Sequence, residues 1–175
     1  MGFDLAKARR LMKEREIDCL VASSHDNVYY SSGSNIETIT ELKRLAAVFL
    51  PLDGDPSFGV HANEEVTARR ATWIKDVRVY EGGEWEPTKP IEFVADVLKE
   101  KGLARAKIGL ELLDLSGLCL DYLREMLPSV KFVDVQPIFD RMRSVKSPEE
   151  LKLLSDANMA TAKAITVAFE MAKTR

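Results

Sequence analysis

Apolar residues recur three and four apart near the start of the chain, placing Leu5, Ala8, Leu11 and Met12 on one face. That spacing predicts a helix capped by Asp4 and finished by Glu16. Cys19 to Ala22 then reads as a short buried strand. Between Ser23 and Gly33 the run Asp26-Asn27-Val28-Tyr29-Tyr30 predicts a short polar-aromatic turn or helix closed by the glycine, and Ser34 to Arg44, which has no period, predicts a loop. Leu45 to Leu50 is continuously apolar, as a central strand requires. Asp53-Gly54 marks a hairpin, with Ser57 to Val60 returning antiparallel.

Further on, Asn63 is expected to cap a helix to about Ala71, with Glu64 and Glu65 in its first turn. Val77 and Val79 alternate with polar residues as a strand, and Glu81 to Pro90 reads as a loop. Pro90 opens a helix carrying Ile91, Val94, Val97 and Leu98 on one face, ended by Gly102. Ile108 to Leu110 predicts a strand. Ser116 caps a helix bearing Leu120, Leu123 and Leu127, which Pro128 stops. Phe132, Val133 and Val135 predict the last strand, and Pro137 to Met142 a short helix. Strands alternating with helices around one central hairpin predict an α/β fold: a mixed β-sheet with helices on both faces and right-handed crossovers.

A different kind of signal follows. Ser147-Pro148-Glu149-Glu150 combines a Ser cap, Pro at the first helical position and Glu at the third, which is a capping box beside the positive end of a helix dipole. The helix it starts carries Leu151, Leu154, Ala157, Ala164, Ala168 and Met171, and is expected to run to Thr174 without a C-cap glycine. Its length, ~40 Å at ~1.5 Å per residue, exceeds what a small domain can cover. Two regions are therefore expected: a domain over 1–146, and over 147–175 a junction with the first helix of a further domain.

With 175 residues, 46% of them hydrophobic and 30% charged, the chain has enough apolar material for one real core. A net charge of −3 creates no strong field, so no nucleic-acid or anionic membrane partner is expected. No stretch approaches the ~18 apolar residues of a membrane span. The start lacks a basic and then apolar leader, and Ala6 stands where a myristoylation site wants Ser or Thr. A cytoplasmic protein is the expectation. Cys19 and Cys119 both lie in apolar runs and read as buried thiols.

Few residues offer chemistry. There are two histidines, His25 and His61, and no HExxH, paired CxxC, GxGxxG or GxxxxGK[ST] pattern. His61 with Glu64 and Glu65 is the nearest approach to a ligand cluster; the alternative is a loop histidine beside a helix-start acid pair. His25-Asp26 is either a polar loop at a strand's carboxyl end, where α/β sheets receive ligands, or the exposed end of a capped helix. Tyr29 and Tyr30 are adjacent, so both cannot face fully inward; each is a core aromatic or a subunit or substrate contact. Arg141, Arg143 and Lys146 read as an interdomain salt-bridge set rather than a polyanion site. Asp18 and Asp76 precede their strands, unlike the acidic cluster of a receiver domain.

Several of these segments together resemble the N-terminal domain of the creatinase/prolidase family. They are Ile17-Asp18-Cys19-Leu20-Val21 followed by Asn27-Val28-Tyr29-Tyr30-Ser31-Ser32-Gly33; Arg44 before an apolar strand and the turn Asp53-Gly54-Asp55-Pro56; Ile108-Gly109-Leu110-Glu111; and Arg143-Ser144-Val145-Lys146-Ser147-Pro148-Glu149-Glu150-Leu151. The resemblance implies a creatinase N-terminal domain-like, ribonuclease H-like sandwich with no catalytic residue and no metal ligand of its own. It implies that the chemistry, and a divalent metal pair held by two Asp, one His and two Glu, belong to a C-terminal catalytic domain absent from these residues. Xaa-Pro dipeptide hydrolysis is the parent activity it favours, with a creatinase-like small-amide hydrolase or a stand-alone binding module of the same fold as alternatives. Loops of such domains reach a neighbouring subunit's active site in a homodimer. The resemblance thus makes His25, Tyr29, Tyr30 and Arg44 candidates for substrate gating or dimer contact. Ser34 to Arg44 would carry that role, with the Arg44 guanidinium either binding a carboxylate or pairing with Glu41 or another acid.

Overall fold

The computed structural model describes residues 2–42, 44–83 and 88–172. The chain divides into two compact units, Gly2–Met142 and the segment from Arg143 onward.

The first unit is built on a six-stranded sheet in the order β4-β3-β2-β1-β5-β6. Its strands are β1 (Cys19–Ala22), β2 (Ala47–Pro51), β3 (Ser57–His61), β4 (Asp76–Tyr80), β5 (Lys107–Leu110) and β6 (Lys131–Asp134). Only β2 runs against its neighbours: β1 and β3 flank it antiparallel, whereas β1/β5, β3/β4 and β5/β6 pair in parallel. The expected mixed sheet and central hairpin are both present.

Period-two alternation along the central strands sorts their side chains into two cores. Leu20 and Ala22 of β1 and Val48 and Leu50 of β2 point to one side. Helices α1 (Leu5–Glu14), α2 (His25–Ser32), α4 (Glu65–Ala71) and α7 (Gln136–Ser144) cover that side through Leu11, Met12, Val28, Ala68, Ile138 and Phe139. Cys19 and Val21 with Ala47 and Phe49 point to the other side, where α5 (Lys89–Glu100) and α6 (Gly117–Met126) add Val94, Leu98 and Leu123. Burying a side chain of this size stabilises by roughly 1.5–3 kcal/mol, so both faces of the sheet contribute to the fold. Burial also pushes the Cys19 thiol up to about 12 and leaves it protonated. Cys119 is only half-buried, contrary to expectation: it lies on the Leu123 face of α6, one turn nearer the helix start, and packs against the edge of the second core.

The caps follow the sequence in most places. Asp4 accepts from the Lys7 N–H, and Ser116 from the Cys119 N–H. Two segments differ. Ser34 to Arg44 is not all loop: α3 (Thr38–Glu41) makes one helical turn in it, and Ile36 is buried. After β3 it is His61, not Asn63, that caps. Its Nδ1 accepts from the Asn63 N–H at 3.2 Å, starting a 3-10 turn Ala62–Glu64 that leads into α4.

At the amino ends of β3 and β4, Ser57 and Asp76 sit opposite each other in register and are hydrogen-bonded through their side chains. Arg78 Nε donates to Asp76 at 3.0 Å, and Lys101 Nζ lies 3.9 Å away. Burial alone raises the Asp76 pKa, but the bonds from Ser57 and Arg78 and the charges of Arg78 and Lys101 outweigh it, holding the carboxyl below its ordinary value near 3.8. A depressed folded-state pKa stabilises the fold above the unfolded value and ceases to do so as pH falls through the folded one. Asp76→Asn should therefore cost stability at neutral pH, and the gap from the unsubstituted protein should close in acid below about pH 4. Denaturant unfolding of both proteins across that range measures it; a gap that stayed constant would remove Asp76 as its source.

In the second segment, α8 (Pro148–Ala172) is a single helix. Ser147 N donates to Glu150 Oε2 at 2.7 Å and Glu150 N to Ser147 Oγ at 3.2 Å, which is the reciprocal capping box read from the sequence. None of its residues is buried. The expected end at Thr174 lies outside the described residues.

Candidate functional site

Because β2 alone is reversed, the carboxyl ends of β1, β3, β4, β5 and β6 and the amino end of β2 lie along one edge of the sheet. The candidate residues of the first unit fall on that edge. α2 leaves β1 there, and Arg44 precedes β2 there.

Ser24 caps α2: its hydroxyl accepts from the Asn27 N–H at 3.3 Å. Gly33, at φ +77°, ends the helix in the left-handed conformation that glycine adopts without strain, and its N–H closes on the Tyr29 carbonyl at 2.8 Å. The last carbonyls are taken from outside the helix. Trp73 Nε1 donates to Ser31 O at 2.9 Å and Thr72 Oγ1 to Ser32 O at 2.8 Å.

Held this way, α2 separates the two tyrosines. Tyr30 turns inward, edge-on to Phe3 with centroids 5.6 Å apart, and its hydroxyl donates to Met142 O at 3.2 Å. Tyr29 faces out and is 47% exposed. Successive helix positions diverge by about 100°, and here they divide the pair into a packing residue and a surface residue.

His25 lies at the start of α2. Its Nε2 is 2.7 Å from Asn35 Oδ1 and its Nδ1 is 3.6 Å from Asp26 Oδ1. Asn35 Nδ2 in turn donates to Glu37 at 3.3 Å. The histidine thus ties the beginning of α2 to the segment entering α3. Arg44, half-buried, closes that segment with its backbone N–H on Thr38 O at 3.1 Å. The structure therefore joins His25 to the 34–44 segment, leaves Tyr29 on the surface, and packs the half-buried Tyr30 against the first core.

His61 ends β3 on the same edge, but its ring packs edge-on against Tyr80 at 5.3 Å while its Nδ1 serves as a cap. Among the described residues no three His, Cys, Asp or Glu side chains converge as a metal site would need. Arg141 pairs with Glu14 at 3.0 Å, within the first unit.

One residue at this edge carries a role that the sequence reading does not give it. Glu111 follows β5 and is 2% exposed. Its Oε2 accepts the Ser23 and Ser24 N–H groups at 2.6 and 2.9 Å, and its Oε1 accepts Ser24 Oγ at 2.6 Å and Asn27 Nδ2 at 2.5 Å. An acidic residue ending one apolar strand, with Ser-Ser following another, is the only trace of this in the sequence. Nearby, the Asp114 carboxyl is pushed up, first by burial and second by the Glu111 charge.

The profile of the creatinase/prolidase N-terminal domain matches residues 5–145. A Xaa-Pro dipeptidase of Lactobacillus helveticus is 26% identical over 172 residues, which is 98% of this chain and 45% of that protein. Among solved structures, a dipeptidase of Pyrococcus horikoshii OT3 superposes with a TM-score of 0.74 at 22% identity, over 94% of this chain and 43% of that one. The separate N-terminal domain of an X-Pro dipeptidase from Streptococcus pyogenes superposes with a TM-score of 0.62 at 21% identity, over 78% of this chain and 95% of that one. The chain spans less than half the length of the curated relative it matches.

Proposed function

This chain belongs to the creatinase/prolidase N-terminal domain family, and from that premise we propose that it is the non-catalytic arm of a cytoplasmic Xaa-Pro dipeptidase-like metallohydrolase. It contributes to a homodimer contact and to the gating of substrate. The observation that carries the reading is one of coverage: 98% of this chain aligns with 45% of a Xaa-Pro dipeptidase, so the remaining share of such a protein has no counterpart here. The same relative favours Xaa-Pro peptides over small amides as the parent substrate.

In this reading residues 1–146 form the arm and 147–175 lead into the catalytic domain, which would hold the divalent metal pair. The described residues of this chain offer no converging ligand set for such a pair, so no chemical step is assigned to them. Tyr29, His25 and Arg44 are the gating or dimer-contact residues. Tyr30 supports them through Phe3 and Met142, half-buried against the first core. Among the described residues no helix is long and apolar enough to cross a membrane.

The pure chain should show no turnover of Xaa-Pro dipeptides with or without manganese, cobalt or zinc, because stabilising the attacking and leaving groups of such a hydrolysis calls for a preorganised metal clamp. Proline release above that of a heat-denatured control, in a preparation free of other peptidases, would refute the reading.

A further inference from the structure

A carboxylate removed from water is costly unless its lone pairs are met. Glu111 is buried, yet its four bonds come from neutral groups: two backbone N–H groups, one hydroxyl and one amide. Four donors, two on each carboxyl oxygen, fill the acceptor sites of the side chain. These donors reach Glu111 from the turn between β1 and α2 and from the first turn of α2, across a parallel strand pair. From β1 the chain proceeds to β2 on one side, while β5 flanks β1 on the other. The gap between β1 and β5 is thus where the strand order reverses, the crevice in which open α/β sheets receive ligands.

We infer that Glu111 is an internal anionic ligand: its carboxylate fills a carboxylate-binding crevice built by Ser23, Ser24 and Asn27, so the sheet's own ligand position is closed by the chain itself. The receptor is formed by the turn and the bound anion by the end of β5. One consequence is mechanical. α2, with His25 and Tyr29 on it, is fastened at its first turn to β5 rather than left to pivot on the turn after β1. This inference does not depend on the function proposed above.

Glu111→Ala removes a CH2–COO⁻ group and leaves space matched by acetate, which the same four donors should then bind. In the 175-residue chain, this variant should lose on the order of 10 °C in unfolding midpoint, since four donors, one buried and three part-buried, lose their acceptor. Sodium acetate should restore part of that loss saturably, relative to sodium chloride at equal ionic strength. Acetamide, a neutral isostere, should not, and the unsubstituted protein should respond to acetate no more than to chloride. In the variant's amide NMR spectrum, the Ser23 and Ser24 signals should move with acetate. Should the variant be unfolded in chloride, acetate is expected to refold it. A variant whose stability or folding is indifferent to acetate overturns the inference, as does acetamide matching acetate or equal stabilisation of the unsubstituted protein.

Discussion

Gly109→Ala is expected to destabilise the first unit by about 3 kcal/mol. The added Cβ would lie 2.0 Å from Val135 Cγ1 and 3.1 Å from Leu20 Cδ2, well inside van der Waals contact. Neither neighbour has room to retreat. Val135 is fully buried and β-branched, so its χ1 is stiff, and Leu20 is fully buried on the adjacent strand. The backbone cannot shift either, since β5 is paired on both sides, with β1 and with β6. Urea unfolding measures the loss as a fall in midpoint. The double variant Gly109→Ala/Val135→Ala should be less destabilised than the sum of its two single variants, because the second truncation clears the space the first one needs. Strict additivity would mean that Val135 is not what excludes a side chain at 109.

The second large effect concerns α8. In the dilute chain, amides from about Ala160 onward should exchange at close to unprotected rates, while the central strands remain protected. Leu151, Leu153, Leu154, Met159, Ile165, Val167, Phe169 and Met171 are all exposed, and no α8 residue is buried. Each large side chain among them forgoes roughly 1.5–3 kcal/mol that burial would supply. The capping box holds the first turns, but nothing comparable holds the far half. At high concentration the alternative to fraying is pairing with the same helix of a second copy, which protection rising with concentration would reveal. A chain ending at Lys146 should keep the unfolding midpoint of the first unit and lose that concentration dependence. If it unfolds instead, α8 belongs to the first unit's core and the boundary at Ser147 is misplaced.

What the sequence conveys depends on how far apart the deciding residues lie. The strands and most caps are legible because their signals are local: an apolar run, a Ser or Asp at a helix start, a glycine past its end. α3 is missed because a single helical turn has too few residues for a period, and no side chain caps its start. The cap at His61 is missed because Asn63 is the more usual capping type and stands two residues away. Helix geometry says that Tyr29 and Tyr30 must part, but which one turns inward is decided by Phe3 and by the Met142 carbonyl, far along the chain. Glu111 is the extreme case. Its donors lie 84 to 88 residues upstream, and only the parallel pairing of β1 with β5 brings them within reach. His25 is the converse, since its partner Asn35 is near in sequence but sits in a segment without pattern.

The single reversed strand has a consequence for how such a domain can diversify. Since β2 starts where β1 ends, the chain between Ala22 and Ala47 leaves and rejoins the sheet at the same rim. The exposed positions of that stretch can change, and its surface loops lengthen or shorten, while the pairing of β1 with β2 stays as it is, provided Val28 and Ile36 keep their places in the first core. A new recognition surface can be grafted at this rim as a cassette, with the sheet serving as an unaltered mount.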